Sequence, residues 1–171
     1  MLIISNHASK YMDIPKDAVI RINLAWFKTR EDAMEAMDAC RNVIFLDYPR
    51  GRTKPPKPTI TLEQAIELAD SKKVRYFAVS NVEDGFMLAA IKSQLPAHIE
   101  IVPKIESVRG IDALADIVGK TGCKIAMLDK EDLYTDVDHD PWLFDFEIER
   151  VRQRAVVQGL KLLELQGVIF A

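Results

Sequence analysis

Apolar and polar positions along the chain follow two alternating patterns. Short apolar runs, typical of strands in a sheet, are separated by segments with apolar residues at every third or fourth position, typical of helices. The run at residues 42–47 is apolar from Val43 to Leu46 and ends at Asp47, as expected for a strand covered on both faces of a parallel sheet. The predicted strands span residues 2–5, 18–24, 42–47, 74–80, 99–106, 124–128 and 160–165.

Capping residues mark where the helices begin and end. Thr29 with Asp32, and Thr61 with Gln64, predict capping boxes for helices that run to about residue 40 and about residue 73. Other helices are predicted from residue 83 to 94 ahead of Pro96, from Ser107 to Gly122, and from Asp140–Pro141 to Gly159. Strand and helix thus alternate at intervals of roughly 25 residues, which predicts a parallel α/β fold, either a barrel or a doubly wound sheet.

The length of the chain limits how complete such a barrel can be. A full (β/α)8 TIM barrel takes about 250 residues, whereas this chain has 171. We therefore expect an incomplete, TIM-barrel-like parallel fold of about seven strands in one domain spanning residues 1–171, without the last helix or two. Gln166-Gly167 is a turn signal, and residues 168–171 are too few to assign.

Composition and charge exclude several classes of function. The net charge of −3 provides no electrostatic argument for binding nucleic acid. No apolar run reaches transmembrane length and no signal-peptide pattern is present, so we expect no membrane partner and a cytoplasmic location. The two cysteines are too few for a disulfide framework or a zinc site.

Carboxylates mark the ends of two consecutive predicted strands. Glu106 ends the strand at residues 99–106, and Asp132 follows the strand at residues 124–128 in an acidic turn. Neighbouring β/α strands place their functional sites at such ends, and two carboxylates suit a hard cation such as Mg²⁺. Lys104 shares a strand face with Glu106, because side chains at i and i+2 point the same way. The alternative is structural: a helix-entry carboxylate, a loop acid, and a salt bridge between Lys104 and Glu106.

These residues carry a resemblance to two related families. Residues 20–23 (IRIN), 45–47 (FLD), 103–106 (PKIE) and 132–133 (DL) resemble successive motifs of the pyruvate kinase catalytic barrel. Residues 106–110 (ESVRG) and 131–133 (EDL) resemble the citrate lyase β-subunit and the HpcH/HpaI aldolases. Both families belong to the phosphoenolpyruvate/pyruvate barrel superfamily.

The resemblance implies a role for each matching position. Glu106 and Asp132 would hold Mg²⁺ or Mn²⁺ against a pyruvate or enolate oxygen, and Lys104 would be the acid/base or charge-neutralising group beside it. The remaining implied residues face a keto acid or phosphoenolpyruvate-like substrate: Arg21 in a catalytic role, with Asn23, Asp47 and Arg52 binding the substrate. A solvated basic loop is the alternative for Arg52.

Departures from the pyruvate kinase pattern affect the predicted activity. The proline-rich loop at residues 48–58 stands where those enzymes insert a lid domain, and we expect no C-terminal domain. Ala25 replaces a serine that binds a monovalent cation, and Glu131 replaces a glycine that meets substrate phosphate. The lost lid favours a C–C lyase or aldolase over phosphoryl transfer. The substitutions favour a third alternative, a non-catalytic barrel relative that binds a small acid or a protein.

An incomplete barrel would leave two open sheet edges and an uncovered apolar interior. Such surfaces are commonly covered by a partner. We therefore expect a homo-oligomer, with residues 160–171 near the contact.

Overall fold

The computed structural model describes residues 2–6, 13–164 and 169–170. The strands are β1 Ile3–Ser5, β2 Val19–Asn23, β3 Ile44–Tyr48, β4 Val74–Val79, β5 Glu100–Ile105, β6 Ile125–Leu128, β7 Lys161–Glu164 and β8 Ile169–Phe170. The helices are α1 Arg30–Ala39, α2 Leu62–Ala69, α3 Gly85–Lys92, α4 Val108–Asp112, α5 Leu114–Thr121, α6 Lys130–Asp136 and α7 Pro141–Val157, with a 3-10 turn at Leu24–Trp26. Seven strands alternating with helices form the incomplete α/β barrel that the sequence pattern predicts.

The chain divides into two compact units. The first contains Met1–Ala78, Gln94–Glu100 and Gln166–Ala171, and the second contains Val79–Ser93 and Ile101–Leu165. In the first unit the strand order is β4-β3-β2-β1-β8, with β1, β2 and β3 parallel. In the second unit β5, β6 and β7 are neighbours and parallel.

The strands supply the most deeply buried residues of each unit. In the first unit Ile44, Phe45 and Leu46 of β3 are all fully buried, and in the second every residue of β6 is buried. Burial of consecutive side chains means that both faces of these strands are covered. The continuous apolar run at residues 42–47 is therefore explained by a strand in a parallel sheet, as predicted.

Local capping signals are confirmed. Both predicted capping boxes form, with the Thr29 hydroxyl accepting from the Asp32 N–H and the Thr61 hydroxyl from the Gln64 N–H. Pro141 occupies the first position of α7 behind the N-cap Asp140. The glycines predicted to end helices, at positions 122 and 159, have φ of 62° and 64°. This left-handed region favours glycine because a side chain there is strained.

The structure corrects two assignments. The helix predicted from Ser107 to Gly122 is divided at Ala113 into α4 and α5. Ile111, Leu114 and Ile117 are all buried, so the apolar face continues from α4 into α5. Hydrophobic spacing therefore cannot reveal that the helix is interrupted at Ala113. The acidic turn expected after β6 is the first turn of α6, where acidic residues favour the positive end of the helix dipole.

The structure also assigns C-terminal residues that the sequence pattern left unassigned. Ile169–Phe170 forms β8, which pairs antiparallel with β1, so part of one expected open edge is covered. A two-residue strand carries no periodicity, and only its partner reveals it. The predicted turn at Gln166-Gly167 lies outside the described residues. None of the helices in the described ranges has the length and apolarity needed to cross a membrane.

Candidate metal centre

The ends of β5 and β6 bring acidic residues together in the second unit. In the parallel register of these strands, Lys104 lies beside Met127 and Ile105 beside Leu128. The next residues along the two strands are Glu106 and Asp129. They therefore leave the same end of adjacent strands side by side, at the edge where α/β folds place their sites.

Three carboxylates converge at this edge. Glu106, Asp129 and Asp132 each offer an oxygen within 4.8 Å of the others. Glu106 and Asp129 are buried and Asp132 is half-buried. Asp132 arrives from the first turn of α6, whose N-cap is Asp129, and its N–H donates to Asp129 Oδ1 at 3.4 Å. The structure thus brings Glu106 and Asp132 together and adds Asp129. We call these three residues the carboxylate cluster.

The ammonium group of Lys104 lies within the carboxylate cluster. Its Nζ is 2.7 Å from Glu106 Oε1 and 3.6 Å from Asp129 Oδ2, and it donates to the Ser80 hydroxyl at 3.1 Å. Lys104 is itself buried. The contact with Glu106 is a close ion pair, and a carboxylate oxygen can accept a further ligand because it has two lone pairs.

The second oxygen of Glu106 is held by the backbone. The Asn81 N–H donates to Glu106 Oε2 at 2.7 Å. Asn81 has a φ of 53°, a left-handed conformation that asparagine adopts more readily than most residues. Such backbone strain often accompanies functional sites. Here it accompanies an amide that fixes the Glu106 carboxylate.

Burial dominates the electrostatics of Glu106. Loss of solvation raises the pKa of its carboxyl above the usual range, although Lys104 opposes the shift, and the Asp129 carboxylate raises the pKa further. Counted as formal charges, three carboxylates and one ammonium sum to −2. The single lysine therefore compensates the buried negative charge only in part.

The donor set of the carboxylate cluster fits a hard divalent cation. All three candidate ligand groups are carboxylates, which Mg²⁺ and Mn²⁺ prefer. A charge of +2 would balance the remaining −2, and the buried Oε1 of Glu106 has Lys104 as its one partner among the described residues, which leaves a lone pair for a cation. Both observations point to Glu106, Asp129 and Asp132 as the residues that would hold the metal.

The other predicted site residues lie in the first unit. Arg21 Nε donates to Asp47 Oδ2 at 2.8 Å, and Nη2 contacts the same oxygen, so these two form an ion pair between β2 and β3. Asn23 Oδ1 accepts from the Ala25 N–H at 3.0 Å and caps the 3-10 turn. Arg52 donates to the carbonyls of its own loop. Substrate contacts by these four residues remain predictions.

Sequence reasoning missed Asp129 as a candidate ligand. It is the first residue after β6, so a rule based on strand ends would have selected it. The sequence-based hypothesis named Asp132 instead, which lies in the same acidic turn three residues further along. Ser80 and Asn81 carry no sequence signal, since their contacts are with residues 24 and 25 positions away in the chain.

Comparison with known proteins gives matches at the level of structure only. No protein-family model matches the chain, and no curated protein matches it significantly. Among solved structures, RipC from Yersinia pestis superposes with a TM-score of 0.65 at 14% sequence identity, covering 95% of this chain and 73% of RipC. A variant of the citrate synthase SbnG superposes with a TM-score of 0.64 at 15% identity, covering 93% of this chain and 69% of that protein.

A third solved structure bears directly on the predicted resemblance. An HpcH/HpaI aldolase/citrate lyase family protein from Burkholderia cenocepacia superposes with a TM-score of 0.66 at 13% identity, covering 87% of this chain and 71% of the other. Identity this low shows a shared fold and does not transfer an activity. This chain therefore shares the α/β fold of these three solved proteins, one of which belongs to the aldolase/citrate lyase family that the sequence motifs resemble.

Proposed function

We propose that this protein is a Mg²⁺- or Mn²⁺-dependent lyase that breaks or forms a C–C bond of a pyruvate-type acid through an enolate. One observation carries the proposal. The carboxylate cluster gathers three acids within 4.8 Å at the joint end of β5 and β6, around a buried lysine. The fold shared with an aldolase/citrate lyase family protein supports the choice of a lyase.

Each residue of the cluster has a part in this chemistry. Glu106, Asp129 and Asp132 would hold the cation, which when bound stabilises negative charge that develops on an enolate oxygen. Asn81 keeps Glu106 oriented through its N–H. Lys104 carries a proton at Nζ close to these oxygens, where it can protonate an enolate or remain as a compensating charge. Burial of the lysine keeps water away from that proton.

Two features favour a non-catalytic barrel relative as the second candidate. The Lys104 ammonium, 2.7 Å from Glu106, already supplies one positive charge to the acids. Glu131, in the first turn of α6, stands where the pyruvate kinase pattern has a glycine that meets phosphate. A protein of this kind would bind a small acid without turning it over. Pyruvate-kinase-like phosphoryl transfer is disfavoured by the short loop at residues 48–58.

Metal binding and enolisation can be tested separately. Titration with Mn²⁺, followed by electron paramagnetic resonance, should show one site that is lost in Glu106→Gln and in Asp132→Asn. The matched control is Asp145→Asn, which neutralises an exposed aspartate of α7 and should leave the site intact. If no variant of the cluster alters Mn²⁺ binding, the metal site is elsewhere and the proposal fails.

Enolisation is measured by exchange of the methyl protons of pyruvate in D₂O, followed by proton NMR. We expect exchange that requires Mg²⁺ and is lost in Lys104→Met. Metal binding without exchange for pyruvate or for longer 2-keto acids would reject the lyase and support the non-catalytic alternative.

A further inference from the structure

The segment that follows Glu106 is tied to helix α6 by a hydrogen bond. The N–H of Val108, the first residue of α4, donates to Asp136 Oδ2 at 2.8 Å. An N–H in the first turn of a helix has no partner within that helix, so it needs an acceptor from elsewhere. The N-cap residue Ser107 accepts from the Gly110 N–H instead. Asp136 therefore supplies the acceptor that the Val108 N–H requires.

The spacing of residues on α6 relates this hydrogen bond to the carboxylate cluster. Asp132 and Asp136 are four residues apart on α6, and residues at i and i+4 lie on the same face of a helix. Glu106 and Val108 are two residues apart, between the end of β5 and the start of α4. Asp132 meets Glu106 in the cluster, and Asp136 meets Val108. Two neighbouring contacts thus set both the distance and the rotation of α6 relative to Glu106.

Other contacts hold α6 in the fold without the Asp136 hydrogen bond. Leu133 is fully buried and Val137 is nearly so, and Lys130 forms an ion pair with Glu164 at the end of β7. Asp136 is exposed, so removal of its side chain leaves no cavity in the core. Apolar burial is non-directional, however, so it permits small rotations of α6. The fold should survive the loss of Asp136, whereas the exact position of the Asp132 carboxylate should not.

We propose that Asp136 is a positioning residue for the metal site: its hydrogen bond to Val108 holds α6 so that Asp132 reaches the same cation as the rest of the carboxylate cluster. This inference rests on the proposed function, since it requires the cluster to bind a cation. A hydrogen bond from an N–H to a carboxylate is charge-assisted and directional, which the apolar contacts of α6 are not. Residues that orient metal ligands from outside the coordination sphere typically change metal affinity by about 10–100-fold when they are mutated.

Titration with Mn²⁺, followed by electron paramagnetic resonance, measures the effect of Asp136 on the site. We expect Asp136→Ala to raise the dissociation constant of Mn²⁺ about tenfold. Asp136→Asn should weaken binding much less, because its amide oxygen can still accept from the Val108 N–H. Both variants lose the same negative charge, so the comparison isolates the hydrogen bond. Equal weakening in both would show that Asp136 acts through its charge alone and would overturn the proposal.

Asp140→Ala is the matched control for a general loss of stability. Asp140 is also exposed and also accepts from backbone N–H groups at the start of a helix, those of Trp142 and Leu143 in α7. Its loss should lower Tm but leave Mn²⁺ affinity unchanged, because α7 carries no member of the carboxylate cluster. A similar rise of the dissociation constant in Asp140→Ala would mean that lost stability weakens the site, and the proposal would be wrong.

Mn²⁺ binding by the wild type separates this inference from the proposed function. If the wild-type protein shows no Mn²⁺ site, the proposed function and the role of Asp136 both fail. If the wild type binds Mn²⁺ at the carboxylate cluster and Asp136→Ala binds it equally well, only the role of Asp136 is refuted.

Discussion

The stability of Glu106→Gln relative to the wild type should depend on metal. Without metal the variant should be at least as stable as the wild type, and with metal the wild type should be the more stable of the two. Burial raises the pKa of Glu106, so the folded state holds this proton more tightly than the unfolded chain does. Stability therefore falls as pH rises from the usual glutamate range through the folded-state pKa. At neutral pH the ionised carboxylate costs free energy, and we expect Glu106→Gln in EDTA to be at least as stable as the wild type.

Two contacts support the direction of this effect. A glutamine at position 106 can still accept the hydrogen bond from the Asn81 N–H, which is 2.7 Å from Oε2 in the wild type. Lys104 would retain Asp129 at 3.6 Å and the Ser80 hydroxyl at 3.1 Å as partners. The net charge of the four-residue group would change from −2 to −1. The substitution thus removes a buried charge without leaving the lysine isolated.

Addition of metal should produce the opposite order. A ligand at about 100 times its dissociation constant stabilises the folded state by about 2.7 kcal/mol. For a chain of this size, where each kcal/mol shifts Tm by about 2–4 °C, the wild type should gain about 5–11 °C with Mg²⁺ or Mn²⁺. Glu106→Gln should gain little, because it has lost a buried ligand of the cation. Differential scanning calorimetry in EDTA and in excess Mg²⁺ measures both effects.

Either of two results would refute this reasoning. A Tm several degrees below the wild type for Glu106→Gln in EDTA would mean that the ionised carboxylate stabilises the fold, contrary to its raised pKa. An equal gain with Mg²⁺ in both proteins would place the cation away from Glu106. Glu100→Gln is the matched control, because it neutralises another glutamate of β5 and should leave the metal response unchanged.

Three further predictions, each for one substitution, concern stability away from the cluster. Hydrogen bonds from Arg152 lower the pKa of Glu164 to about 2. Glu164→Gln should therefore lower the free energy of unfolding by about 1 kcal/mol at pH 7, a modest value because Arg152 is partly exposed to solvent. Unfolding by urea should show this difference shrinking as pH falls from about 5 towards 2, and a difference that stays constant would contradict the pairing. Gly85→Ala should destabilise by about 1–3 kcal/mol, since a Cβ there would lie 2.6 Å from Asp116 Oδ2 and 2.7 Å from the backbone oxygen of Asp116. Gly119→Ala, where a Cβ meets nothing within 4 Å, should instead stabilise α5 by about 0.5–1 kcal/mol. Equal changes in Tm for Gly85→Ala and Gly119→Ala would show that the close contact at Gly85 relaxes without cost.

Local chemistry made much of the fold predictable from the sequence. The capping boxes at Thr29 and Thr61 depend on residues three positions apart, and the left-handed glycines depend on their own backbone freedom. The buried strand β3 was predicted because both of its faces are apolar. Two members of the candidate site were also predictable from local geometry. Lys104 and Glu106 are two residues apart on one strand, and the period of a strand places them on the same face.

The features that the sequence did not predict depend on contacts between residues distant in the chain. The register of β5 beside β6 brings Asp129 to Glu106, and the left-handed Asn81 directs its N–H to that carboxylate. The raised pKa of Glu106 comes from burial, which no local pattern measures. Likewise, the apolar residues of α7 predicted a helix but not which of them face outward. Sequence by itself determined where strands and helices form, because those preferences act over a few residues; only tertiary packing decided which charges share a buried space and which apolar side chains remain exposed.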